Sequence, residues 1–249
     1  MAPGLRERRK QETRQAISDI ATVMFADRGF DEVTIAQVAG AAGVAKMTVT
    51  NYFPRKEDLV FDRAEAVIRH LADVISARAP GESMLAAVRR DYAEAIARAD
   101  VTLGLSSPAF ARMILSSPAL IGRVREMLDQ REQALGDAIA AETGTDGPQQ
   151  RLVATLLASV HRVLSAEASR RSLAGQPREE ICAVLADEAT RAFDLLEPSL
   201  GSYGIRPRPA RGSVSGRGRP RRPAERWSPR RRPGCPPPVS PPARPSGRG

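Results

Sequence analysis

The stretch that most limits what this chain can fold into is Thr34 to Phe53, TIAQVAGAAGVAKMTVTNYF. Thr34 stands three residues before Gln37, the spacing of a capping box, in which hydroxyl and amide each accept a backbone N–H left unpaired at a helix start. A short helix is predicted from there. Ile35, Val38 and Ala39 fall at i, i+3 and i+4 and give it one apolar face, until Gly43 supplies the left-handed backbone that a sharp turn needs. Val44 plugs the turn. Lys46 to Tyr52 offers a second short helix, its apolar positions Met47, Val49 and Phe53 interleaved with Thr48, Thr50 and Asn51, and Pro54 stops it. Two such helices joined by a glycine turn make a helix-turn-helix, whose second helix can enter a major groove. Helical hairpins of this spacing also occur in all-α proteins that never touch DNA.

The wording of the stretch says more than its spacing. AGVAKMTVTNYFPRKEDLV, preceded by a helix ending in Phe25, Arg28, Gly29 and Phe30, resembles the DNA-binding domain of the tetracycline-repressor (TetR) family of bacterial regulators. Gly29, Thr34, Ala39, Ala42, Gly43, Val44, Tyr52, Phe53, Lys56, Glu57 and Leu59 all sit where that family's pattern puts them, and the likeness covers residues 9–69. Beyond residue 70 only size and helical layout agree. The resemblance implies an all-α chain: a three-helix head at 9–69 with the helix-turn-helix at 34–53, a long fourth helix, and a helical effector-binding and dimerisation domain at 70–200. Two departures stand out: Ala45 replaces a common capping Ser, and Thr50 a common aromatic.

Charge divides the chain at about residue 200. Residues 201–249 hold 13 Arg against the single acid Glu225, a net of +12, whereas residues 1–200 hold 25 basic and 28 acidic side chains, a net of −3. The overall charge of +9 is thus a property of the tail, not the footprint of a DNA-binding fold, which must cluster its basic residues on one surface. With 12 of the 20 prolines and few large apolar residues beyond Trp227, this tail cannot bury enough surface to offset chain entropy, and disorder is expected. No apolar run is long enough to cross a membrane and no secretory signal opens the sequence, so a cytoplasmic protein is expected. Cys182 and Cys235 match no metal-ligand spacing.

The rest reads as helix after helix. From Arg8 to Arg28, Ile17, Ile20, Ala21, Met24 and Phe25 form one buried stripe, and the leading end carries Arg6, Arg8, Arg9, Lys10 and Arg14, a phosphate-facing cluster or simply a solvated helix start. After Pro54 a single helix of about five turns is predicted from Lys56 to Arg78, roughly 30 Å of rigid rod into the second domain. Further helices are expected over 82–98, from Pro108, over 118–143, over 149–173 and over 177–197. The last two carry wide apolar faces rich in Ala and Ser, fit either for burial in one core or for an isologous contact between two subunits; the resemblance implies the homodimer. Such a dimer sets two recognition helices about 34 Å apart and demands a near-palindromic double-stranded operator.

The expected DNA-binding residues are Thr34, Lys46, Thr48, Thr50, Asn51, Tyr52 and Lys56. Asn suits adenine N6 and N7 in the major groove, so specificity is assigned to Lys46, Thr50 and Asn51, while the resemblance implies that Tyr52 and Lys56 hold phosphates, which carry no sequence code. An effector cavity in an all-α domain lies between helices and is mostly apolar. Tyr92, Phe110 and Met113 are its expected residues, with the irregular piece Asp100 to Pro108 as its mouth. Neither His70 nor His161 has a carboxylate, Ser or Cys at a spacing that suggests catalysis or metal binding, and no phosphate-cradling glycine motif appears. No cofactor, metal or enzymatic activity is expected. The reading is of a ligand-responsive, sequence-specific transcriptional regulator acting as a repressor; the alternative is a non-specific nucleic-acid binder driven by the tail.

Overall fold

The computed structural model describes residues 4–207. The expected disorder of the tail beyond them, with Trp227 and Cys235, lies outside the described residues. All regular structure among the described residues is helical: α1 (Leu5–Arg28), α2 (Ile35–Ala41), α3 (Lys46–Tyr52), α4 (Ala64–Ala77), α5 (Met84–Ala97), α6 (Pro108–Ser116), α7 (Pro118–Thr143), α8 (Pro148–Leu173) and α9 (Arg178–Leu200), with 3-10 turns at Glu57–Leu59 and Val101–Leu103. No helix among them is long and apolar enough to cross a membrane.

The helix-turn-helix forms as its sequence dictates. Thr34 and Gln37 close the capping box: the Gln37 N–H donates to the Thr34 hydroxyl at 3.3 Å and the Thr34 N–H to the Gln37 side chain at 2.8 Å. Gly43 turns the chain at φ +66°, a conformation in which a Cβ would be strained. Behind the two helices, Ile17, Ala21, Phe25, Val38, Ala39, Val49, Phe53 and Leu59 form a core that also takes in Met113 of α6 and Leu120 of α7. The head is therefore packed onto the second domain rather than merely tethered to it.

The predicted five-turn rod is not one helix. After the turn at Glu57–Leu59 the chain breaks, and α4 begins only at Ala64, so its 14 residues span about 21 Å rather than 30. The cause lies in α1. Buried Ser18 donates to the Leu59 carbonyl at 2.9 Å and Arg14 donates to the Asp62 carbonyl at 2.8 Å. Both carbonyls, which a continuous helix would use internally, are thereby claimed by the head.

The second core gathers Leu71 and Ile75 of α4 with Leu85, Val88 and Tyr92 of α5, Leu135 and Ile139 of α7, Val153, Leu157 and Leu164 of α8, and Leu185 and Phe193 of α9. Side-chain caps from Ser83 and Ser107 start α5 and α6. Gly104, at φ +87°, passes so close to α8 that a Cβ there would sit 2.4 Å from the Ser165 carbonyl oxygen. The fold also runs seven residues past the expected limit of 200. Backbone bonds join Arg206 to Gly81 and Glu82, and the Gly204 carbonyl accepts from buried Arg78, which also pairs with Glu142 at the end of α7. The polar make-up of 201–207 disguised these backbone bonds.

Candidate nucleic-acid interface and effector cavity

α3 is seven residues long, held from behind by Val49 and Phe53, neither of which reaches solvent. Its outer face carries Lys46, Met47 and Asn51, all exposed, with Thr48, Thr50 and Tyr52 half-buried at its flanks. Met47 was expected on the apolar stripe but is 68% exposed. The reason is angular: two positions on a helix are about 200° apart, so Met47 and Val49 cannot share a face. The Thr50 hydroxyl donates back into its own helix, to the Met47 carbonyl at 3.1 Å. No side chain caps the helix at Ala45.

Around this face two cations turn inward. Arg14 donates to the Tyr52 carbonyl at 2.7 Å and lies 4.4 Å from the centre of the Phe53 ring, so it bolts the end of α3 to α1 and leaves the expected phosphate-facing cluster. Arg6, Arg8, Arg9 and Lys10 remain exposed. Lys56 places its ammonium 4.3 Å over Phe30, with the Asp31 carbonyl as acceptor at 3.4 Å. Thr34 is exposed at the start of α2, its hydroxyl engaged in the cap.

The expected cavity residues do not come together. Tyr92 is fully buried in the second core, edge-on to His161 at 4.9 Å between ring centres, and Met113 belongs to the core of the head. Helix periodicity shows which side chains are buried, not which of two cores receives them. Of the three, Phe110 lines a cavity of about 400 Å³, with Val60, Phe61, Ala64, Val67, Leu105 and Met127. The Asp100 to Pro108 segment contributes Val101, Thr102, Leu105, Ser106 and Ser107 to that wall.

Arg63, Val67 and Thr102 also line a second, polar cavity of about 180 Å³, together with His70, Asp91, Arg98, Asp100, Arg131 and His161. The sequence offered His70 no carboxylate at a suggestive spacing, yet the fold brings Asp91 to 2.7 Å from its Nε2, and that bond raises the His70 pKa against the opposing effect of burial. Burial drives His161 the other way, down to about 3, with the nearby Arg131 charge adding to the effect. Arg131, on α7, donates its Nε to the Val67 carbonyl of α4 at 3.1 Å. Neither Arg131 nor Asp91 carried a sequence signal, because charged residues in helical segments read as solvated faces.

An exposed helix backed by a buried core and presented by a capped hairpin is the arrangement of a helix-turn-helix head. Residues 17–62 match the family model described as bacterial regulatory proteins, tetR family. That match makes the head a TetR-type DNA-binding domain, and the chain is a helix-turn-helix DNA-binding transcriptional regulator. It is similar to the HTH-type transcriptional regulator TcmR of Streptomyces glaucescens, 27% identical over 173 residues that make up 66% of this chain and 76% of TcmR. The HTH-type transcriptional repressor LfrR of Mycolicibacterium smegmatis is 30% identical over 115 residues, 46% of this chain and 49% of that protein. Among solved structures, Salmonella enterica GusR aligns with a TM-score of 0.46 at 17% identity, over 76% of this chain and 96% of that one.

Proposed function

We propose that the protein is a homodimeric repressor that grips a near-palindromic operator with two copies of α3 and leaves it when a small molecule enters the cavities beside α4. The observation that carries this reading is the outer face of α3, where Lys46, Met47 and Asn51 are exposed on a helix held from behind by Val49 and Phe53. In this reading Asn51 takes adenine, Lys46 a guanine or phosphate, and the Met47 methyl meets a thymine methyl, all in the major groove. Thr48 and Thr50 flank them, while Tyr52 and the start of α2 at Thr34 lie against phosphates that fix register, and Lys56 reaches one by swinging its ammonium off Phe30 and the Asp31 carbonyl.

The partner copy is assigned to α8 and α9. Leu152, Val163 and Leu195 are 58, 64 and 80% exposed, and a groove of about 400 Å³ between the two helices is lined by Leu156, Val160, Val163, Leu195 and Leu196. An exposed apolar patch rimmed by Glu188 and Arg191 suits a two-fold contact in which each side chain meets its own copy or a neighbour. The head at 9–69 and the helical domain at 70–207 then divide the labour. α4 and α7 are packed together along their length, and Arg131 bonds across them, so a molecule seated among Arg63, Val67 and Phe110 bears on α4 at its join to the head. Release requires that it bind the DNA-free form more tightly. The test is a mobility-shift titration of the purified protein against DNA flanking its own coding region. A discrete complex that resists excess random-sequence DNA supports the reading; equal competition by random DNA refutes it.

A further inference from the structure

We propose, building on the reading of the protein as an effector-responsive regulator, that the effector is an amphipathic carboxylic acid whose carboxylate lies against Arg131 and His161 and whose apolar body fills the cavity at Phe110. The polar cavity contains a charge without a counter-charge. Arg131 is only 8% exposed, yet among the described residues its hydrogen bonding is confined to the Val67 carbonyl and it makes no ion pair. A buried guanidinium left so is costly, and burial alone lowers its pKa. The two acids in the same cavity are already engaged: Asp91 with His70 at 2.7 Å, and Asp100 with the Thr102 N–H and hydroxyl at 2.9 and 2.8 Å.

His161 adds the second, independent observation. It is 4% exposed, it lines the cavity, and its Nε2 has no hydrogen-bond partner among the described residues. As a neutral ring it can donate that N–H to a carboxylate oxygen, while Arg131 offers its two terminal nitrogens side by side in the fork geometry that carboxylates match. Arg63 and Arg98 at the cavity wall keep the balance positive against Asp91 and Asp100. An inorganic anion would satisfy the charge but not the neighbouring space. That larger chamber shares Arg63, Val67 and Thr102 with the polar one and is walled by Val60, Phe61, Val101, Leu105, Phe110 and Met127, so the head group it adjoins belongs to an organic molecule with an apolar body.

The test uses the full chain without DNA, so that it stands apart from operator release. Binding of decanoate and 4-phenylbutyrate is measured by titration calorimetry beside their primary alcohols, decan-1-ol and 4-phenylbutan-1-ol. At least one acid is expected to bind tenfold or more tighter than its alcohol. Arg131→Met removes that preference while alcohol binding stays within twofold, Arg131→Lys restores part of it, and His161→Leu, which spares the arginine, weakens the acid severalfold. Acids that bind no tighter than alcohols, absence of saturable binding by all four compounds, or a preference that survives Arg131→Met overturns the assignment. If the acid binds but leaves the protein–DNA complex intact, the assignment holds and the release mechanism fails.

Discussion

Asn51 and His161 show how differently two polar residues are used in one small protein. Asn51 is exposed on α3 with a backbone fixed from below, so its replacement should leave the fold intact. Asn51→Ala is expected to weaken operator binding by about 1–3 kcal/mol and to relax preference at one base pair per half-site, read by anisotropy titrations on single-substitution duplexes. His161 is buried and neutral, its pKa pushed down to about 3. In the unfolded chain the ring titrates near 6.5, so between those values the unfolded state takes up a proton that the folded state refuses, and stability falls as pH falls. From pH 6.5 to 5, His161→Leu is expected to lose about 1.6 kcal/mol less than the parent chain in urea unfolding, the unfolded ring passing from half to nearly full protonation. His70 acts with the opposite sign and above 6.5: its raised pKa, caused first by the bond to Asp91, stabilises fully below 6.5 and is lost as pH rises through the folded value, so His70→Gln should abolish a gain in stability that the parent chain shows as pH falls from above that value to 6.5. An unchanged slope in both variants would contradict these assignments.

At the scale of elements, α3 is the least self-sufficient helix, seven residues with no side-chain cap. Ala45 has the extended backbone, φ −67° and ψ 146°, that an N-cap residue adopts, so a serine there can accept the Thr48 N–H without rearrangement. Ala45→Ser is expected to raise stability by about 1 kcal/mol in chemical denaturation; a loss would show that the turn lacks room for the hydroxyl. Local signals made α2, α3, α6 and α7 readable from the sequence, since Thr34, Gly43, Ser107, Pro108, Pro118 and Gly144 mark ends by their own chemistry. The break between Leu59 and Ala64 was hidden because its cause is remote: Ser18 and Arg14 reach it from more than forty residues away. Likewise the polar cavity joins His70, Asp91, Arg131 and His161 from four helices, and periodicity within one helix cannot give the register between them.

Over the whole molecule, residues 1–200 carry a net charge of −3 and residues 201–249 one of +12. If recognition resides in α3, a chain ending at residue 207 keeps its discrimination between operator and random duplex to within a few fold, losing only salt-dependent affinity common to both. The alternative, binding driven by the tail, predicts that this truncation removes nearly all affinity. The end at 207 is chosen because Arg206 closes backbone bonds with Gly81 and Glu82. Whether two copies of α3 read one duplex is decided by selection of bound sequences from a random duplex library by the purified protein at moderate salt. Two-fold binding through α3 enriches an inverted repeat with half-sites centred about 10 base pairs, one duplex turn, apart. Enrichment of no inverted repeat, or of a single asymmetric site, would contradict it.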